Sequence, residues 1–119
     1  MQGIGIDLVE NHRIGRLIEL YGSKFLSRIY TERELLYCAP KGNSVQCFAA
    51  RFAAKEAFMK AVGMGLGEVR FKDVEVVNLE TGQPELILHG RAYSLVGQRK
   101  VMVSLSHTDC CSVAVVVIF

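Results

Sequence analysis

Six alanines crowd into one stretch of this chain, at positions 49, 50, 53, 54, 57 and 61. Alanine is the best helix former, so the stretch predicts a long helix from about Val45 to Val62, ended by Gly63. Small side chains also give that helix a thin side that can press closely against a neighbour. Beyond it, Gly63-Met64-Gly65-Leu66-Gly67 reads as a loop. The G-x-G-x-G spacing follows a helix rather than opening one, which is the wrong context for a dinucleotide fingerprint or a P-loop.

On either side of this helix the periodicity changes. Gly3 to Val9 reads as a strand, with Ile4, Ile6 and Leu8 on one face and Gly3, Gly5, Asp7 and Val9 on the other. Ile14, Leu17, Ile18 and Tyr21 then fall at helical spacing before Gly22, and Lys24 to Ile29 suits a second short helix. Thr31 and Glu34 form a capping-box pattern that starts another helix near Glu32. After the loop, Phe71 to Leu79 and Glu85 to His89 read as strands around the turn Thr81-Gly82-Gln83-Pro84. Ala92 to Gly97 suits a short helix, and Val101 to Ser106 and Ser112 to Ile118 are β-rich runs around a His-Thr-Asp-Cys-Cys turn. Helices come first and mostly antiparallel strands follow, so the expected class is α+β. The 119 residues are one domain's worth, 1–119.

Half the residues are apolar and the mean hydropathy is +0.26, rich for a monomer of this length. No run approaches the length of a membrane span and no signal peptide is evident at Met1-Gln2-Gly3. The surplus apolar surface points instead to oligomerisation. A net charge of +2 is too weak to imply nucleic acid. Arg13, Arg16, Lys24, Arg28 and Arg33 outnumber Glu19 and Glu32 between residues 11 and 33. That excess reads either as a solvated face or as a docking patch for an acidic partner. Cys38, Cys47, Cys110 and Cys111 match no zinc spacing; they are expected to be reduced cysteines of a cytoplasmic protein.

Few residues could carry chemistry. Asp7 follows two glycines on one strand face, where glycine weakens a strand but admits a close neighbour; it reads as a metal ligand or as a cap of the following helix. Phe52, Glu56 and Lys60 line up along the long helix. Glu56 and Lys60 read as an ordinary i,i+4 pair or as a carboxylate and an ammonium set to hold Mg²⁺ and a phosphate oxygen. His107, in a turn between two β runs, is better placed than His12 or His89 to face a ligand.

Taken together the motifs resemble a known family. Gly3-Ile4-Gly5-Ile6-Asp7-Leu8-Val9-Glu10 is similar to the N-terminal motif of the short 4′-phosphopantetheinyl transferases, the holo-acyl-carrier-protein synthases. Arg51-Phe52-Ala53-Ala54-Lys55-Glu56-Ala57-Phe58-Met59-Lys60-Ala61 resembles their second motif, W/F-x-x-K-E-A-x-x-K-A. Thr81-Gly82-Gln83-Pro84 and Ser104-Leu105-Ser106-His107-Thr108 are similar to the family's hairpin and S-x-S-H-T segments. Order and intervals match along the whole chain.

The resemblance implies Mg²⁺-dependent transfer of 4′-phosphopantetheine from coenzyme A to a serine of apo-acyl carrier protein, releasing adenosine 3′,5′-bisphosphate, in fatty acid biosynthesis. It implies a homotrimer with coenzyme A bound between subunits. Asp7 and Glu56 would ligate the metal, with Val9 where longer members carry a further acid. Lys60 would neutralise phosphate charge. Gly63 and Gly65 would let coenzyme A pass close to the backbone, and Pro84, His107, Thr108 and Arg51 would line its site, His107 near the 3′-phosphate. Glu56 or a metal-bound water would accept the serine proton. Arg13 and Arg16 would dock the acidic carrier, although a further arginine of some members falls at Leu20 here. A non-catalytic coenzyme A-binding module is disfavoured by the presence of both acids and Lys60. A broad-specificity transferase is disfavoured by length, since those members are about twice as long.

Overall fold

A computed structural model describes residues 2–63 and 69–119. The chain runs β1 (Gly3–Glu10), α1 (Asn11–Tyr21), α2 (Ser23–Ile29), α3 (Glu32–Cys38), α4 (Ser44–Ala61), a 3₁₀ turn (Phe71–Asp73), β2 (Val74–Asn78), β3 (Pro84–Leu88), α5 (Gly90–Val96), β4 (Val101–His107) and β5 (Cys111–Ile118). The class is α+β, as expected. Three strands form an antiparallel sheet in the order β1-β5-β4, and β2 and β3 form a separate antiparallel hairpin.

Helix α4 is the axle of the fold. Ala49, Ala53, Ala54, Ala57 and Phe58 are fully buried at its centre, and it packs on β1 and β5. The thin side meets the glycines of β1. A Cβ on Gly5 would lie 1.9 Å from the Ala57 carbonyl oxygen, and one on Gly3 would lie 2.2 Å from that of Ala61. Strand and helix backbones therefore touch, and only glycine fits between them.

The sheet wears its apolar residues outward. Ile4, Ile6 and Leu8 of β1 are exposed, and in register beside them stand Val117, Val115 and Val113 of β5, with Met102 of β4 beyond Val117. The glycine and aspartate face of β1 is the one that meets α4.

Two expectations are corrected. The segment predicted as a strand from Phe71 starts as a 3₁₀ turn, and β2 begins only at Val74. Here the Asp73 side chain accepts from the Arg70 backbone N–H at 3.3 Å, a local bond that closes a turn. The four cysteines are not all reduced: Cys38 and Cys47 are joined by a disulfide, with Cα atoms 5.6 Å apart, and only Cys110 and Cys111 are free. The short connection after α3 returns the chain at once, so the end of α3 lies against the first turn of α4. Among the described residues no helix is long and apolar enough to cross a membrane.

Candidate active site

Asp7 lies inside β1, not at its end, and does not cap a helix; the residue before α1 is Glu10. Because β1 lies against α4, the Asp7 side chain meets the last turns of that helix. Lys60 reaches across: its Nζ donates to Asp7 Oδ1 at 3.1 Å and to the Ile6 carbonyl at 3.0 Å. One turn earlier Glu56 is half-buried. Burial, and then the negative charge of Asp7, push its carboxyl above the usual range, against the opposing pull of Lys60 and Arg13. The two acids that stand 49 positions apart in sequence therefore feel one another in space. Among the described residues no protein donor is recorded for Asp7 Oδ2 or for either Glu56 carboxylate oxygen. Two hard oxygen donors with free lone pairs, beside the Lys60 ammonium, are a donor set that suits Mg²⁺, which needs few protein ligands when phosphate and water supply the rest. Arg13 looks onto the same side of α4, with its guanidinium carbon 6.0 Å from the Phe52 ring centre.

A second group gathers on a different face of α4. Arg51 and Glu56 are five residues apart, roughly 140° around a helix and about 7.5 Å along it. Arg51 turns into a cleft of about 290 Å³ bounded also by Tyr37, Lys41, Asn78, Pro84 and His107. Its guanidinium is buried, which pulls its pKa below the ordinary value. Nη2 donates to Asn78 Oδ1 and Nη1 to Cys47 Sγ at 3.5 Å, while Nε is buried with no partner among the described residues. The Tyr37 ring carries two cations: Arg51 Cζ lies 4.5 Å and Lys41 Nζ 4.4 Å from its centroid. A cleft with two cations, a histidine and an unsatisfied N–H is built for an anion.

The structure thus divides the sequence-derived residues between two places. Asp7, Glu56 and Lys60 meet at one; Arg51, Pro84 and His107 meet at the other. His107 is the last residue of β4, paired with Ser112, rather than part of the expected turn. Thr108 follows it in the β4–β5 turn, where its hydroxyl accepts from Cys110 N–H at 3.3 Å and Cys111 N–H at 3.1 Å. Gly63, exposed with φ +71°, ends α4 beyond Lys60; Gly65 lies outside the described residues. Arg16, one turn along α1 from Arg13, borders a groove with His12, Glu19 and Asp109. Sequence reasoning missed Tyr37 and Lys41. A lone lysine between Pro40 and Gly42 was the signal for the second of these.

Comparison with known proteins shows the family. Residues 3–106 match the family model described as the 4′-phosphopantetheinyl transferase superfamily. The chain is 48% identical over 120 residues to a holo-[acyl-carrier-protein] synthase of Solibacter usitatus, covering 98% of this chain and 96% of that one. A crystal structure of the Bacillus anthracis holo-(acyl-carrier-protein) synthase in complex with CoA (3′,5′-ADP) superposes with a TM-score of 0.84 at 42% identity, over 98% of this chain and 95% of that one. The Neisseria meningitidis enzyme superposes with a TM-score of 0.88 at 39% identity, over 100% and 98%. The chain belongs to the holo-[acyl-carrier-protein] synthases of the 4′-phosphopantetheinyl transferase superfamily.

Proposed function

We infer that this chain, as a single transferase domain over residues 1–119, moves 4′-phosphopantetheine from coenzyme A to a serine of an apo-acyl carrier protein and releases adenosine 3′,5′-bisphosphate. The observation that carries this beyond family membership is the pairing of Asp7 and Glu56 across the β1–α4 contact, with Lys60 bonded to Asp7. Asp7 and Glu56 would hold Mg²⁺, which when bound supplies charge stabilisation at the diphosphate.

The chain's own residues do the rest. Lys60 sets an ammonium beside the phosphates. Glu56, or a water held beside it, takes the proton from the carrier serine. The serine oxygen then forms a bond to the phosphorus of the phosphopantetheine, and the bond to the 5′-phosphate oxygen breaks. The Arg51 cleft, with Lys41, Pro84 and His107, receives the 3′-phosphate end of the nucleotide, and Thr108 stands beside it. Gly63 and Gly65 line the path between. The reaction is chiefly one of positioning and charge.

The metal pair and the cleft face different sides of α4, which supports a coenzyme A molecule lying between neighbouring subunits. The outward apolar face of Ile4, Ile6, Leu8, Val113, Val115 and Val117 supports the assembly itself, a homotrimer, since apolar area of this kind is normally covered. Arg13 and Arg16 dock the acidic carrier. They are joined by Lys24 and Arg28 at the rim of a groove floored by Leu17, Tyr21 and Phe25. On this reading the reaction runs in the cytoplasm.

The test is direct. Protein, apo-carrier, coenzyme A and Mg²⁺ are incubated and the carrier is weighed by mass spectrometry. A gain of one phosphopantetheine, abolished by EDTA, is expected. A competent carrier that gains no mass overturns the reading.

A further inference from the structure

The Cys38–Cys47 disulfide stands where the proposed catalytic scheme has no use for it. Cys38 ends α3 and is fully buried; Cys47, in the first turn of α4, is partly exposed and borders the Arg51 cleft. The bond closes a loop over residues 39–46, which carries three further residues of the cleft wall: Lys41, Asn43 and Gln46. It also touches the cation at the cleft's centre. Arg51 Nη1 donates to Cys47 Sγ at 3.5 Å, one of the few contacts that hold this guanidinium, with Asn78 Oδ1 and the Tyr37 side chain. A disulfide in a reducing compartment is characteristically transient and redox-sensing rather than structural.

We propose that Cys38–Cys47 is a redox modification site that sets the affinity of the nucleotide cleft: the disulfide form binds the 3′-phosphate end tightly and the dithiol form weakly. The inference rests on the cleft's assignment to coenzyme A. A dithiol reductant attacks the accessible Cys47 sulfur as a thiolate. The Cys38–Cys47 bond breaks, Cys38 leaves as a thiolate and takes a proton, and a mixed disulfide forms on Cys47. The second reductant thiol then displaces Cys47, so the reductant is oxidised and both cysteines end as thiols. Two thiols need more room than one disulfide. Cys38 is enclosed by core, so the adjustment falls on Cys47, on the loop bearing Lys41, and on the contact that steadies Arg51.

The probe is adenosine 3′,5′-bisphosphate, titrated by calorimetry into protein prepared oxidised or treated with dithiothreitol. Both preparations carry Cys110→Ser and Cys111→Ser, so that only one cysteine pair responds. Reduction is expected to raise Kd at least about threefold. It should raise KM for coenzyme A by the same factor while kcat at saturating coenzyme A stays constant, a split that general loosening of the fold would not give. Cys38→Ala in that background should bind like the reduced form with or without reductant. Equal Kd in the two states, or a Cys38→Ala protein that still responds to dithiothreitol, overturns the proposal. Absence of carrier modification alongside the expected rise in Kd of at least about threefold would strike the transferase reading and leave this one standing.

Discussion

Helix α4 carries two lysine–carboxylate clusters, and they differ in every respect that matters. Lys55 and Glu34 are both completely buried and 2.8 Å apart. All three ammonium protons are used, on Glu34, the Phe71 carbonyl and the Val74 carbonyl. Glu34 in turn accepts from the Thr31 and Val76 backbone N–H groups, each at 2.9 Å. The cluster ties α3, α4 and β2 together and has no capacity left. Lys60 and Asp7 form the looser cluster: the lysine side chain is 57% exposed and the aspartate 17%. Glu56 beside them retains free oxygens. Saturated charge builds structure, whereas unsaturated charge at a surface is available to a ligand. Two adjacent residues, Lys55 and Glu56, fall on opposite sides of that line.

The comparison predicts crossed outcomes. Asp7→Ala should lower transfer at least about a thousandfold, the several kcal/mol of charge stabilisation a metal supplies, while its urea midpoint reports a stability change within about 1 kcal/mol. Lys55→Met should do the reverse. It leaves Glu34 charged and unpaired in the core, destabilising by about 3–5 kcal/mol, with turnover per folded molecule unchanged. If the two variants lost stability equally, the division would fail. Next in size, Arg13→Glu should raise KM for the carrier roughly tenfold and leave KM for coenzyme A unaltered; equal effects would remove Arg13 from docking.

The smallest effect concerns Glu56 itself. Its folded-state pKa is raised by burial and by Asp7, so the folded protein holds that proton more tightly than the unfolded chain does. This contribution is fully present below the ordinary glutamate pKa and is lost as pH rises through the elevated value. Metal-free Glu56→Gln should therefore melt about 1–2 °C above the parent at pH 7, with the difference gone near pH 4. A melting point below the parent's at pH 7 would contradict the assigned burial.

Local pattern made much of this legible. Alanine content marked α4 to within a residue. The Thr31–Glu34 capping box is present in both its hydrogen bonds. The glycines of β1 announced a close approach, and the group that approaches is the backbone of α4 itself. What stayed hidden was long-range. Glu34 gave a complete local account of itself as a cap, so nothing signalled that Lys55 and Val76 also converge on it. Cys38 and Cys47 belong to separate helices, and no periodicity links them. Alternation divided β1 into two faces but could not say which faced inward, because the apolar face is the exposed one. The meeting of Asp7 and Glu56 came from family resemblance, and the β1–α4 contact is its physical cause.

That contact has a consequence for ion choice. With no side chain on Gly5, and only a methyl on Ala57, the strand and helix close to a separation that leaves no room for a Cβ between them. The gap between the two carboxylates is therefore gauged by atoms that are missing. Magnesium–oxygen bonds run about 2.0–2.1 Å and calcium's about 2.3–2.6 Å. If Asp7 and Glu56 hold Mg²⁺ as proposed, a chain that kept both acids but widened this seam by one methyl group would be retuned toward the larger ion, and the missing side chain of Gly5 would be what sets the choice.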